Sequence, residues 1–250
     1  MIFVRIQRES GPAWGVLQGD MVFTLSEAPY EKLSYDGASV LLSACRLLAP
    51  CEPTKIVCVG KNYYDHAVEM GGQVPDRPIL FLKGPNCVSH PEGKIHAPGF
   101  VKRLDYEGEL ALVMKKTAKD VKAEDAMKYI LGFTCFNDVT ARDIQSEDGQ
   151  WTRAKSMDGF APIGPWIADS LDPDDLRLET RLNGKMVQSS RTSMFMTKLP
   201  RLIEFITASM TLLPGDVVAT GTPAGVGPMK PGDRVEVEVE GIGILANSVV

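Results

Sequence analysis

Glu107 and Glu109 are separated by one residue in the run DYEGELALVM (105–114). If that run is a strand, both side chains leave the same face, because successive residues alternate sides. Two carboxylates held that close repel and raise each other's pKa unless a cation lies between them. Asp138 follows the apolar run ILGFTCFN (130–137) and offers a third oxygen where an unpaired carboxylate would be costly. Three carboxylates with no soft ligand among them suit a hard ion such as Mg²⁺, Mn²⁺ or Ca²⁺. The competing reading is a solvated acidic face, as expected for Glu236, Glu238 and Glu240 in RVEVEVE (234–240). Spacing leaves both readings open, and the apolar setting of Asp138 favours the ion.

His66 and Glu69 lie three apart in a helix expected from Asn62, as its cap, through Met70, and so share a face. A carboxylate that orients an imidazole and stabilises its protonated form makes a general base able to activate water; an ordinary exposed pair has the same spacing. Lys155, in Ala154-Lys155-Ser156, is an ordinary solvated lysine unless it points at the carboxylates. The segment GTPAGVG (221–227) follows a strand but has neither GK[ST] nor GxGxxG spacing, so it is read as a loop of backbone donors for a substrate carboxylate rather than as a phosphate loop. His90 and His96 have no partner at ligand spacing and are expected at the surface. No GxSxG elbow offers a serine nucleophile.

The elements that must position these residues alternate unevenly. Short strands are expected at Ile2–Ile6, Ala13–Leu17 and Met21–Thr24, with Gly19-Asp20 as a turn, and Ala38–Leu48 has helical spacing. Ala49-Pro50-Cys51-Glu52-Pro53 then punctuates the chain, dividing a small N-terminal domain (1–52) from a larger one (53–250). Beyond it, strands are expected at Lys55–Val59, Ile79–Leu82, Asp105–Met114 and Ile130–Asn137, with a helix at Ala123–Tyr129. The Pro- and Gly-rich stretch Gly84–Gly99 is a candidate functional loop. Asn183-Gly184 joins Leu178–Leu182 to Lys185–Gln188 as a hairpin. Thr197–Met210 is the clearest amphipathic helix. Strands return at Val217–Thr220, Val235–Val239 and Ile242–Ala246, giving a mixed α/β chain that is mainly β.

Composition narrows the partners. The 250 residues carry a net charge of −5, with 44% hydrophobic and 24% charged residues, so the chain can bury a sizeable core. Lys and Arg form no basic stripe, which excludes nucleic acid as the expected partner. The longest apolar runs fall well short of the roughly 20 residues of a membrane-spanning helix, so no membrane partner is expected. The N-terminus alternates apolar and charged residues and reads as a strand rather than a signal peptide. Five cysteines without a CxxC pair argue against a disulfide framework and for a reducing cytoplasm, and three histidines are too few for a Cys/His zinc site.

Taken together, VGKNYYDHAVEM (59–70), ILFLKGP (79–85), DYEGELALVM (105–114), GFTCFNDVTARDIQ (132–145), WTRAKSMDGFAPIGPWI (151–167), LNGKMVQ (182–188) and GDVVATGTPAGVG (215–227) resemble the fumarylacetoacetate hydrolase family, in particular its short bacterial-type and acylpyruvase-like members. The resemblance runs from about Pro53 to the C-terminus, and residues 1–52 look like the family's variable N-terminal α+β domain. It implies a β-roll catalytic domain, a homodimer, and a Mg²⁺ or Mn²⁺ site at Glu107, Glu109 and Asp138. It further implies that His66 and Glu69 activate water, that Lys155 meets the metal-bound substrate, and that Lys61, Tyr63, Lys83, Arg142, Gln145 and Thr222 line the substrate pocket. The implied substrates are 2,4-dioxo or 2-oxo-dicarboxylic acids, cleaved at a C–C bond by hydrolysis or decarboxylation; the alternative is an isomerase or tautomerase of a 2-hydroxy-dienoate or oxaloacetate. A non-catalytic module with a structural Ca²⁺ is a further alternative. Two positions depart from the family pattern. Lys61 stands where many relatives carry Arg, replacing a bidentate grip by a point charge, and Met157 stands where Phe is usual.

Overall fold

The structure, a computed structural model, describes residues 1–30, 32–71 and 74–250; Gly72, the second of the two glycines that follow the helix expected through Met70, lies outside the described residues. Its centre is the strand pair Gly108–Met114 and Ile130–Asn137, every residue of which is buried. Alternation decides what each face meets. Leu110, Leu112 and Met114 enter one apolar cluster together with Val57 and Val59, whereas Ala111 and Val113 enter another with Ile56 and Cys58. A strand covered on both faces needs no polar alternation, which is why these runs are nearly continuous in apolar residues.

Around this pair runs a twelve-stranded sheet. From one edge its main path is Tyr35–Leu41, Met21–Leu25, Gly11–Gln18, Ile2–Arg8, Ala161–Ala168, Ile130–Asn137, Gly108–Met114, Val217–Ala219, Ile56–Gly60 and Ile79–Lys83. The N-terminal meander is therefore hydrogen-bonded into the main sheet, through Ile2 opposite Ala168 and Phe3 opposite Ile167. A five-stranded sheet with Arg177–Leu182 and Arg234–Val239 at its middle packs nearby, and a three-stranded one holds Leu104–Tyr106 between Thr140–Ala141 and Gly227–Met229. The helix Leu199–Ser209 buries Leu199, Leu202, Ile203 and Ile206 against the cluster that contains Leu110 and Leu112. The chain is mainly β, as expected, and no helix among the described residues is long and apolar enough to cross a membrane.

Three local expectations are corrected and a fourth is refined. Ala38–Leu48 is not an α-helix: Tyr35–Leu41 pairs with Met21–Leu25, a short 3₁₀ turn follows, and Arg46–Leu47 pairs with the first strand. Leu41 is exposed and Val40, Leu42, Cys45 and Leu47 are partly buried, against the cluster of Val4, Ile6, Ala13 and Val22, and pairing overrode helix propensity. Asn62 does not cap a helix; the helix is Tyr64–Glu69, and the Asn62 amide instead donates to Thr220 O at 2.9 Å and accepts from Thr197 N–H at 2.8 Å. Ala123–Tyr129 is helical as expected, in 3₁₀ form. His90 is half-buried rather than exposed, with Nδ1 accepting the Ala49 N–H at 3.2 Å, while His96 is exposed as expected.

Candidate functional site

Strand register brings the carboxylates together. Gly108 lies opposite Asn137 and Glu109 opposite Phe136. The residues just beyond that end of the ladder, Glu107 and Asp138, are thereby neighbours, and the Asp138 N–H donates to Glu107 O at 2.8 Å. The expected continuous strand 105–114 is interrupted at Glu107, yet Glu107 and Glu109 still face one spot. One oxygen from each of Glu107, Glu109 and Asp138 lies within 4.8 Å of the others, and all three residues are buried.

Cations surround two of the three. Lys155, at the end of the short helix Thr152–Lys155, is buried and donates from Nζ to Glu107 Oε2 at 2.8 Å and Asp138 Oδ2 at 2.6 Å. Arg142, first in the helix Arg142–Asp148, donates to Asp105 Oδ2 at 2.8 Å and Gln145 Oε1 at 2.6 Å, and also to Glu107. Lys83, fully buried, donates to Asp138 Oδ1 and Phe160 O, each at 2.6 Å, and to Val139 O at 3.2 Å. Glu109 receives only the Gly221 N–H, at 2.8 Å, among the described residues.

The electrostatics follow from that imbalance. Burial would raise the Glu107 carboxyl, but Lys155, Arg142 and His66 outweigh it and hold the group well below the usual carboxylate range. Burial, reinforced by Asp138 and Glu107, pushes Glu109 well above it. Lys155 is desolvated too, yet Asp138 and Glu107 keep its ammonium form favoured. Glu109 is thus the buried carboxylate that lacks a cation, at the one point where the other two also present an oxygen. That donor set, all oxygen and short of positive charge, fits a hard divalent ion held by Glu107, Glu109 and Asp138.

A cavity of about 200 Å³ opens onto these carboxylates; Lys61, His66, Arg142, Gln145, Lys155 and Thr222 line it, with Val59, Met70, Phe81 and Trp151 as its apolar surface. Phe81 and Trp151 meet edge to face at 5.2 Å. His66 is buried, with Nδ1 3.2 Å from Glu69 Oε2, leaving Nε2 as its unengaged nitrogen. Glu69 is itself fixed by the Gly225 N–H, at 3.0 Å to Oε1 and 3.2 Å to Oε2.

Four expectations about this site are corrected. Lys83 does not line the cavity: it is fully buried, and its Nζ donates to Asp138, Val139 O and Phe160 O. Tyr63 does not line it either: its ring packs on Phe195 at 5.0 Å, and its buried hydroxyl has no partner among the described residues. The loop 221–227 does supply backbone donors, but those of Gly221 and Gly225 hold the protein's own Glu109 and Glu69. Gly221, at φ 99°, would put a Cβ 2.9 Å from Asn62 Cβ, and Gly225, at φ 100°, lies against Val187 O, so both positions require glycine. The Gly84–Gly99 loop contributes nothing to the cavity. Two further residues build the site without standing out in the sequence: Asp105, which anchors Arg142, and Gln188, which accepts the Gly108 N–H at 3.0 Å and donates to Thr222 Oγ1 at 2.8 Å. Asp105 had a signal, since it continues the i, i+2 spacing of Glu107 and Glu109.

Residues 55–250 match the domain described as Fumarylacetoacetate (FAA) hydrolase C-terminal, and residues 1–50 match Rv2993c-like, N-terminal. Protein Rv2993c of Mycobacterium tuberculosis is 46% identical, over 98% of this chain and 97% of its own length. The mitochondrial oxaloacetate tautomerase Fahd2a of Rattus norvegicus is 41% identical, over 83% of this chain and 70% of its own. The crystal structure of a 5-carboxymethyl-2-hydroxymuconate delta-isomerase from Mycobacterium smegmatis superposes with a TM-score of 0.95 at 44% identity, covering 100% of this chain and 99% of that one. With the carboxylate cluster and these matches in hand, the chain belongs to the fumarylacetoacetate hydrolase family.

Proposed function

We propose that this chain is a Mg²⁺- or Mn²⁺-dependent enzyme acting on 2-oxo acids, which it interconverts by proton transfer next to the 2-oxo group as a tautomerase or isomerase. The observation that carries the reading is the convergence of Glu107, Glu109 and Asp138 at the end of a small cavity also lined by His66 and Lys155. A divalent cation on those carboxylates would supply the Lewis acidity that makes the C3 hydrogen of a 2-oxo acid acidic. The chain's own groups do the rest. His66, oriented at Nδ1 by Glu69, takes and returns the proton at Nε2. Lys155 sets a positive charge where the enolate develops. The apolar surface of Phe81, Trp151, Met70 and Val59 limits water around the reacting carbon. Similarity to proteins named as an oxaloacetate tautomerase and a hydroxymuconate isomerase supports proton transfer as the reaction.

Hydrolytic C–C cleavage or decarboxylation is the second reading. It is favoured by the His66–Glu69 pair, which is arranged as a water-activating dyad. The test is the decay of enol absorbance for oxaloacetate and for an acylpyruvate with Mg²⁺, with products identified by NMR. Tautomerisation leaves the carbon skeleton intact, whereas cleavage releases a smaller acid or CO₂. His66→Gln should lower the proton-transfer rate by about a hundredfold or more. Absence of any Mg²⁺- or Mn²⁺-dependent acceleration on these acids would overturn the proposal. A homodimer, a cytoplasmic setting and division of the chain near residue 52 belong to the same reading, and light scattering of the purified chain tests the first.

A further inference from the structure

Gln188 is the one buried residue of an otherwise open strand. In Lys185–Arg191, an edge strand of the five-stranded sheet, Lys185, Met186, Ser189 and Arg191 are exposed and Val187 and Ser190 half-buried, whereas Gln188 is 1% exposed. A glutamine brings two N–H donors and a carbonyl oxygen, and is seldom taken fully out of water. Here both ends of the amide are engaged. Its Oε1 accepts the Gly108 N–H at 3.0 Å, and its Nε2 donates to Thr222 Oγ1 and to Pro223 O, each at 2.8 Å. The Thr222 hydroxyl, having accepted from Gln188, directs its own proton to Gly108 O at 2.8 Å. Gly108, Gln188 and Thr222 thus close a ring of hydrogen bonds on both backbone groups of a single glycine.

That glycine stands between Glu107 and Glu109. The strand Val217–Ala219 pairs with Ala111–Val113, and the Thr220 N–H carries the ladder on to Leu110 O at 3.1 Å. Past Leu110 no strand among the described residues continues on that side, so the side chains of Gln188 and Thr222 take the place of the ladder at Gly108. A Cβ on Gly108 would stand 2.1 Å from Thr180 Oγ1 and 3.3 Å from Gln188 Oε1, which is why the position suits glycine. On the opposite side the Glu107 N–H donates to Asn137 Oδ1 at 3.0 Å. The ring also ties Gly108 to the loop whose Gly221 N–H holds Glu109 at 2.8 Å, so the strand and the loop that place Glu109 move together. Such bracing has work to do here. Three buried carboxylates repel one another, and an open strand end would let them spread, whereas Mg²⁺ accepts little departure from oxygens at roughly 2.0–2.1 Å in octahedral array.

We infer that Gln188 is a positioning residue for the carboxylate cluster: by closing the ring on Gly108 it holds Glu107 and Glu109 at the separation a divalent ion requires, without bonding to either carboxylate. The inference rests on the metal-ion part of the reading above. Its test is calorimetric titration of the metal-free full chain with Mn²⁺. Gln188→Met keeps the length of the side chain and removes its hydrogen bonds, and Thr222→Val removes the hydroxyl from the same ring. Each should bind Mn²⁺ about 10- to 100-fold more weakly than the wild type, the size of effect seen when a group that orients metal ligands is lost. Because both open one ring, the double variant should be at most about threefold weaker than the weaker single variant. Thr222→Ser, which keeps the hydroxyl, should recover most of the loss seen in Thr222→Val. Val4→Ala lies in the separate cluster of Val4, Ile6, Ala13 and Val22; it should lower the urea midpoint yet leave Mn²⁺ affinity within about twofold, which separates positioning from a general loss of stability. Wild-type Mn²⁺ affinity in Gln188→Met or, where that variant does not fold, in Thr222→Val would overturn the role of Gln188 and leave the metal reading standing. Additive losses in the double variant, or an equal loss in Val4→Ala, would do the same. Absence of Mn²⁺ binding by the wild type would overturn both.

Discussion

The chain contains two runs in which acidic residues alternate with other side chains, and they have opposite fates. In 105–109, Asp105, Glu107 and Glu109 are buried and enclosed by Arg142, Lys155 and a glycine N–H. In 236–240, Glu236 and Glu238 are half-buried and Glu240 is exposed, while Val235, Val237 and Val239 fill the core. There the carboxylates meet partly solvated arginines, Glu238 with Arg181 at 2.6 Å and Glu236 with Arg234 at 3.3 Å. The same spacing thus gives a solvated acidic ladder where the sheet face meets water, and a buried carboxylate cluster that could hold a cation where it is closed over. What separates them is the supply of charge from elsewhere in the chain, not the spacing.

Removing a carboxylate from each run should break the symmetry most sharply at Glu107. Glu107→Ala should lower catalytic efficiency about a thousandfold or more, through loss of the ion. It should also cost about 3 kcal/mol of stability, because Arg142 and Lys155 lose a buried partner; steady-state kinetics and urea unfolding check the two parts. Lys83→Met comes next. It leaves Asp138 without one of its buried cations and should weaken Mg²⁺ binding about 10- to 100-fold, read by calorimetry, although Lys83 never reaches the cavity. Finding only a KM effect, with metal affinity unchanged, would return Lys83 to the substrate side.

Acidity separates the runs further. Burial and two neighbouring carboxylates raise Glu109 above its unfolded value, so without metal it adds stability below the unfolded pKa that is lost as pH rises through the raised folded pKa. Metal-free protein should therefore lose stability on raising the pH above the usual carboxylate range, and Mg²⁺ should remove that loss, since binding expels the proton. Thermal melting across pH with and without Mg²⁺ checks this; an identical pH profile in both would contradict it. The smallest effect is expected at Glu238→Ala, within about 1 kcal/mol in unfolding experiments and without change in kinetics, because its partner Arg181 is partly solvated.

Much of this contrast was legible in the residues. The spacing of Glu107 and Glu109, the apolar strand leading to Asp138, and the Asn183-Gly184 turn, which adopts φ 52° and 77°, are local signals with local causes. The i, i+3 and i+4 apolar positions of Leu199–Ser209 are another. What stayed hidden depends on partners far away in sequence. Lys83 reads like the polar end of a strand until residues 138, 139 and 160 supply its acceptors. The donors of Gly221 and Gly225 read as ligand contacts until Glu109 and Glu69 arrive to occupy them. Ala38–Leu48 has a period compatible with a helix, and only the unpaired edge of Met21–Leu25 turns its first residues into a strand.

The most direct test of the account is a calorimetric titration of the metal-free full chain with Mn²⁺, comparing wild type, Glu109→Gln and Glu238→Gln. One ion per chain is expected for the wild type and for Glu238→Gln with equal affinity, and at least about a hundredfold weaker binding for Glu109→Gln. Equal Mn²⁺ affinity in Glu109→Gln and the wild type, or no binding to either, would contradict the claim that the buried carboxylates of 107, 109 and 138 are gathered to hold a cation.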